Sequence, residues 1–163
     1  MITVALLTEA TCSADPELAD IRSMGFTAGI LHDIGRLVLA AQQPRRYARV
    51  VRLAERGTPV VEAEIEQLNT DHAAFGGGVA LAWGLPEVLA GAIAGHHDGS
   101  SPLAQALRSA IDLSYALGVG DGVRPAPVPA FDFAAANAAP LRLIGGPGAL
   151  MKRVEWFRAA LGA

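Results

Sequence analysis

The chain is poor in cysteine, in charge and in long apolar runs, and each scarcity excludes something. One cysteine, Cys12, stands among 163 residues. An intrachain disulfide framework is therefore excluded, and a reducing compartment is expected. Charged residues make up 18% of the chain and the net charge is −3, with basic residues adjacent only at Arg45-Arg46 and Lys152-Arg153. No basic run offers an electrostatic surface for nucleic acid. No apolar run reaches the roughly 18 residues of a membrane span. The start, "MITVALLTEATC", lacks a basic region and carries Glu9, so it reads as a core helix and not as a secretion signal. A cytoplasmic protein with no nucleic-acid or membrane partner is expected. Strand-like alternation and internal repeats of fixed period are also missing.

What is present is apolar and helical. Apolar residues make up 52%, enough for a real core, and the length suits one domain over 1–163. The period predicts helices over 2–11 and 25–42. Pro44 then opens a helix whose Tyr47, Val50, Val51 and Ala54 share one face, closed by Gly57. Thr58 is expected to cap the next helix, with Pro59 at its first position, and Asp71 the one after. Pro86 and Ser101-Pro102 open two more. The Pro-rich stretch 119–140 reads as an irregular connection, and 147–161 as a last helix with Leu150, Val154, Phe157 and Leu161 on one face. The expectation is an all-α array of seven to eight helices. The glycines at 76–78 follow no strand, so they predict close helix packing and not a phosphate cradle. Cys12, Trp83 and Trp156 are expected in the core or as groove anchors.

Four histidines carry the candidate chemistry: His32, His72, His96 and His97. Asp33, Asp71 and Asp98 stand beside them. All four fall in, or at the ends of, predicted helices rich in small residues. Imidazole and carboxylate are ligands for divalent Fe, Mn, Ni or Zn. Converged on an ion, they form a site that lowers the pKa of a water for phosphoester hydrolysis. Left without one, they form a buried polar cluster that fixes helix register.

The segment "FTAGILHDIGRLVLA" resembles the helix that names the HD superfamily of metal-dependent phosphohydrolases. Its continuation, "EIEQLNTDHAAFGGGVALAWGLPEVLAGAIAGHH", resembles the HDOD domain, the HD-related output domain of bacterial signalling proteins. The motifs are Glu64 and Glu66, Asp71-His72-Ala73, Trp83-Gly84-Leu85-Pro86 and His96-His97, within a motif-bearing core of about 15–118. The resemblance implies an all-α fold, a regulatory role through a signalling partner, and a metal-ligand set of His32, Asp33, His72, His96 and His97, with Asp112 as the closing aspartate. It also implies further helices ahead of the region matching residue 1. The chain is therefore expected to begin inside the domain, and a homodimer would bury the apolar face so exposed.

The sequence departs from the HD hydrolases at several points. Residues 2–12 hold no histidine where those enzymes place an additional one. Arg36 follows "HDIG" in place of lysine, no "GYP" follows His97, and Asn69-Thr70 stands where the HDOD pattern has glycine. The expected role is therefore a non-catalytic regulatory domain acting through protein interaction. The alternatives are a metal-dependent phosphohydrolase acting on a nucleotide or cyclic dinucleotide, and a metal- or ligand-binding sensor.

Overall fold

A computed structural model describes residues 1–119 and 139–162. All regular structure among them is helical. The α-helices are α1 (Ile2–Ala14), α2 (Gly25–Leu31), α3 (Ile34–Gln42), α4 (Pro44–Glu55), α5 (Val60–Leu68), α6 (His72–Ala82), α7 (Glu87–Ala94), α8 (Pro102–Ala116), α9 (Ala139–Ile144) and α10 (Pro147–Ala160). A 3-10 helix, Pro16–Met24, joins α1 to α2. The all-α expectation holds. The elements outnumber the predicted segments because 25–42 is divided and α9 follows the connection. Residues 120–138 of that Pro-rich connection lie outside the described residues.

The division of 25–42 is the first correction. His32 keeps helical angles, but Asp33 leaves them at φ −100, ψ 13, and α3 starts afresh behind it. One off-helix residue does not disturb an apolar period, so the sequence pattern runs straight through the break. The stretch Pro16–Gln42 is long and apolar enough in composition to cross a membrane. Here it forms three consecutive elements, and Leu18, Ala28 and Leu39 are buried within the protein.

Two apolar clusters organise the packing. The larger draws Leu6, Leu7, Ile93, Leu103, Leu107 and Leu150 from α1, α7, α8 and α10. The smaller joins Leu39, Tyr47, Val50, Ala63 and Leu68 of α3, α4 and α5. Helix α6 packs against both α3 and α7 and so spans the two. Glycines set how closely it does so. A Cβ on Gly35 would overlap the carbonyl oxygen of His72 and lie 2.9 Å from the Gly76 nitrogen. One on Gly77 would lie 2.7 Å from the Ala94 Cβ. The expected close packing at 76–78 is therefore met at Gly76 and Gly77, while Gly78 faces open space.

Local capping mostly follows the sequence. The Asp71 side chain accepts the amides of Ala73 and Ala74, and Ser101 that of Ala104. Gly57 closes α4 at φ +100. Pro59 is the exception: it is itself the N-cap of α5, at ψ 135, with no side-chain cap, so Thr58 stands one residue too early. Proline's fixed φ suits either position, and only its ψ decides. Asn69 closes α5 in the left-handed region at φ 59, ψ 20. Asparagine tolerates that region, so it serves where glycine was expected. Arg45 and Arg46 occupy the first turn of α4 with no acid beside them. The helix dipole disfavours such cations by about 0.3–1 kcal/mol each.

Cys12 is buried, as expected, and burial beside Asp15 pushes its thiol up to about 11. The tryptophans are not in the core. Trp83, on the turn after α6, is 58% exposed, and Trp156 is 66% exposed with its ring edge-on to Phe157. Apolar character alone does not say on which side of a helix end a ring falls.

Candidate metal centre

The break at Asp33, the start of α6 and the end of α7 meet. His72 opens α6 behind the Asp71 cap and is fully buried, its amide donating to the Glu64 carboxylate. His96 and His97 follow Gly95, the C-cap of α7, and His32 closes α2. His72, His96 and His97 each offer a ring nitrogen within 4.8 Å of the others. The rings of His96 and His97 lie 4.0 Å apart, those of His72 and His97 4.8 Å. His32 flanks this group, edge-on to His96 at 5.4 Å. Asp33 spans from His32 Nε2 (3.4 Å) to His72 Nε2 (3.4 Å), with Arg36 Nε also 3.4 Å away. Asp112, on α8, is exposed and stands outside the three-histidine group. It lines a cavity of about 330 Å³ with His32, Asp33, Arg36, His97 and Arg108.

The hydrogen bonds fix which nitrogens face inward. His32 Nδ1 bonds the Gly29 carbonyl at 2.8 Å, His96 Nδ1 the Ile93 carbonyl at 2.7 Å, and His72 Nδ1 the Glu64 carboxylate at 2.6 Å. Carbonyl and carboxylate oxygens only accept, so each Nδ1 carries the hydrogen. In the neutral ring each Nε2 is then left with a lone pair. The lone pairs of His32 and His72 face the Asp33 carboxylate, and His97 Nε2 lies 2.9 Å from His72 Nε2. With no ion, His97 donates its Nε2 hydrogen to His72. Opposed lone pairs and a carboxylate form a cation site, and ligating histidines are held in this way through the other ring nitrogen. The donor set fits a divalent transition ion.

Glu64 is the site residue that sequence reasoning passed over as part of a motif. It is 0% exposed. Its carboxylate accepts from Tyr47 O–H at 3.2 Å, from the His72 amide at 2.9 Å and from His72 Nδ1. The signal was its register: Val60, Ala63, Glu64 and Leu68 form the buried face of α5. Tyr47 is pushed up by burial and by the adjacent Glu64.

Burial lowers His32, His96 and His97, and neighbouring rings add to this at His96 and His97. Burial, then His97, brings His96 to about 3. Burial, then His72 and Arg36, brings His97 to about 4, and burial lowers His32. Burial pushes Asp33 up, but His32, Arg36 and His72 outweigh it and hold the carboxyl below its usual range. At neutral pH the rings of His32, His96 and His97 are uncharged and ready to ligate. The metal-free protein is expected to lose stability as pH falls. The unfolded chain takes up protons near 6.5, whereas the folded rings resist them until about 4 and about 3. The stabilisation is whole above 6.5 and declines steadily below it. Thermal midpoints measured across this range after chelation test this. A midpoint that rises on acidification would contradict it.

The His-Asp pair of this all-α domain meets His72 of α6 and the two histidines of the turn after α7. The chain belongs to the HDOD domain family: the family's model matches residues 2–99, more than half its length. It is thus an HD-superfamily-related regulatory module. The matched region contains His32, Asp33, Glu64, His72, His96 and His97; Asp112 and helices α8 to α10 follow it. None of the curated proteins and none of the solved structures matches the chain.

Proposed function

We propose that the chain is a non-catalytic regulatory module that acts through protein contacts and holds one divalent transition ion in its histidine centre. One observation carries the metal assignment: the Nδ1 hydrogens of His32, His72 and His96 are committed outward, and their Nε2 lone pairs are left for the interior. His72, His96 and His97 would hold the ion, with Asp33 beside them. When bound, it would supply a positive charge and Lewis acidity at the junction of α3, α6 and α7. His72 itself ties α6 to α5 through Glu64, whereas Asp33 and His72 Nε2, 3.4 Å apart, are two acceptors that a bound cation would join across the α2–α3 break and α6. The non-catalytic part rests on the donor inventory. Only one group of three or more close donors occurs among the described residues, enough for one ion.

A hydrolytic reading is favoured by a single feature, the cavity that sets Arg36, Arg108 and Asp112 beside the histidines. Metal analysis of the purified protein is expected to find about one transition ion per chain, lost in His72→Ala. Metal-loaded protein is expected to leave bis(4-nitrophenyl) phosphate and cyclic di-GMP intact. Protein free of metal after loading and desalting would overturn the assignment. Turnover abolished in His72→Ala would establish hydrolysis instead.

A further inference from the structure

Within residues 44–56 only Arg45 and Arg46 are adjacent in sequence, but the helix gathers more. Arg45, Arg49, Arg52 and Arg56 follow at i, i+4, i+7 and i+11, one line about 16 Å long on α4 and its C-cap. Arg46 lies beside them. All five are exposed; the four of the line are on the side opposite the buried Tyr47, Val50 and Ala54, and Arg46 is on the flank between. Ion pairs among the described residues gather at Asp33 and Glu64, and none involves these arginines. Arg46 reaches only Gln43, at 3.5 Å.

The pattern works against the isolated domain. Arg45 and Arg46 oppose the dipole of α4, and like charges stack at spacings of three and four residues along it. Glu55 is the only acid in the segment. Arg52 in the last turn and Arg56 at the C-cap suit the dipole, but Arg45 and Arg46 break the local rule with no acid in their turn, and such a break points to a functional surface. We infer that the arginine line of α4 is a docking surface for an acidic segment of a partner protein. It is separate from the histidine centre, and the inference does not depend on metal.

The observations favour a protein partner over other polyanions. Residues 45–56 carry five cations and one carboxylate, a surplus of four, so the rest of the chain carries −7 to reach its net −3. A nucleic acid, charged every few ångströms along its length, needs cations well beyond the line, and the rest of the chain is net negative. A membrane-surface helix needs large apolar side chains at its exposed face. None of the large exposed apolar residues lies on α4. Carboxylates confined to about 16 Å match the line, and guanidinium groups bind them in a forked geometry.

The test uses the full chain and a fluorescent helical peptide carrying Glu at i, i+4, i+7 and i+11. A mixed-sequence DNA duplex and phosphatidylserine–phosphatidylcholine vesicles run alongside. The chain is expected to prefer the peptide, with affinity falling as salt rises. R45Q/R49Q/R52Q/R56Q is expected to lose about tenfold or more of that affinity without a lower thermal midpoint, because the residues are exposed. R45E/R46E is expected to raise the midpoint while weakening the peptide, a split that a merely solvated face would not show. Absence of peptide binding, an affinity unchanged in the glutamine variant, or tighter binding to duplex or vesicles would each overturn the inference.

Discussion

Glu64→Ala is expected to cost about 3 kcal/mol or more of stability, because each buried donor left without its acceptor costs about 1–3 kcal/mol. Three donors converge on this carboxylate: the Tyr47 hydroxyl, the His72 amide and His72 Nδ1. Alanine would strand all three in a site closed to water. It would also free the His72 ring to rotate, so metal affinity is expected to fall about 10–100-fold, as for other lost partners of ligating histidines. Glu64→Gln separates the two effects. Its amide oxygen can accept from His72, so the fold is expected to survive. It cannot strengthen the ring as a donor in the way a carboxylate does, so metal binding is expected to weaken still. Denaturant unfolding and zinc titration calorimetry on both variants supply the measurements. If Glu64→Ala unfolded with wild-type stability, the buried carboxylate would not be holding α5 to α6.

Gly35→Ala is expected to have the second large effect. An added methyl would overlap the backbone of His72 and crowd Gly76, and neither can yield as a flexible side chain could. Helices α3 and α6 would have to separate at the point where Asp33 meets His72. A loss at the upper end of about 1–3 kcal/mol is expected for such overpacking, accompanied by loss of metal. Gly78→Ala is the paired control on α6. Nothing lies within 4 Å of its Cβ position, so it is expected to gain about 0.5–1 kcal/mol from helix propensity. Thermal unfolding of the two proteins gives opposite signs. Equal effects would mean that the crossing is not tight.

How much was legible follows from the range of each interaction. Scarcity made the histidines stand out, and helical period placed them in or at the ends of helices, with His32 inside one continuous segment. The Asp71 and Ser101 caps were readable because each cap lies within three residues of its partners. Glu64 appeared only as part of a motif, although its register with Val60, Ala63 and Leu68 was a usable signal. The break at Asp33 was hidden, because a single non-helical residue leaves the period intact. The exposure of Trp83 and Trp156 was hidden as well, since it depends on which neighbours arrive from distant parts of the chain.

By itself the sequence determined the all-α class, most helix starts and the identity of the candidate donors, since these depend on spacing and on contacts a few residues long. Even the Nδ1 bonds of His32 and His96 are of that kind, each to the carbonyl three residues back. Tertiary structure alone decided that His72 turns its Nδ1 to Glu64 across the α5–α6 turn, that Gly35 admits α6 close enough for Asp33 to reach it, and that Asp112 stands outside the three-histidine group. The reason is geometric. Which nitrogen is left facing inward, and what it faces, depends on how closely helices cross, and no local period records that distance.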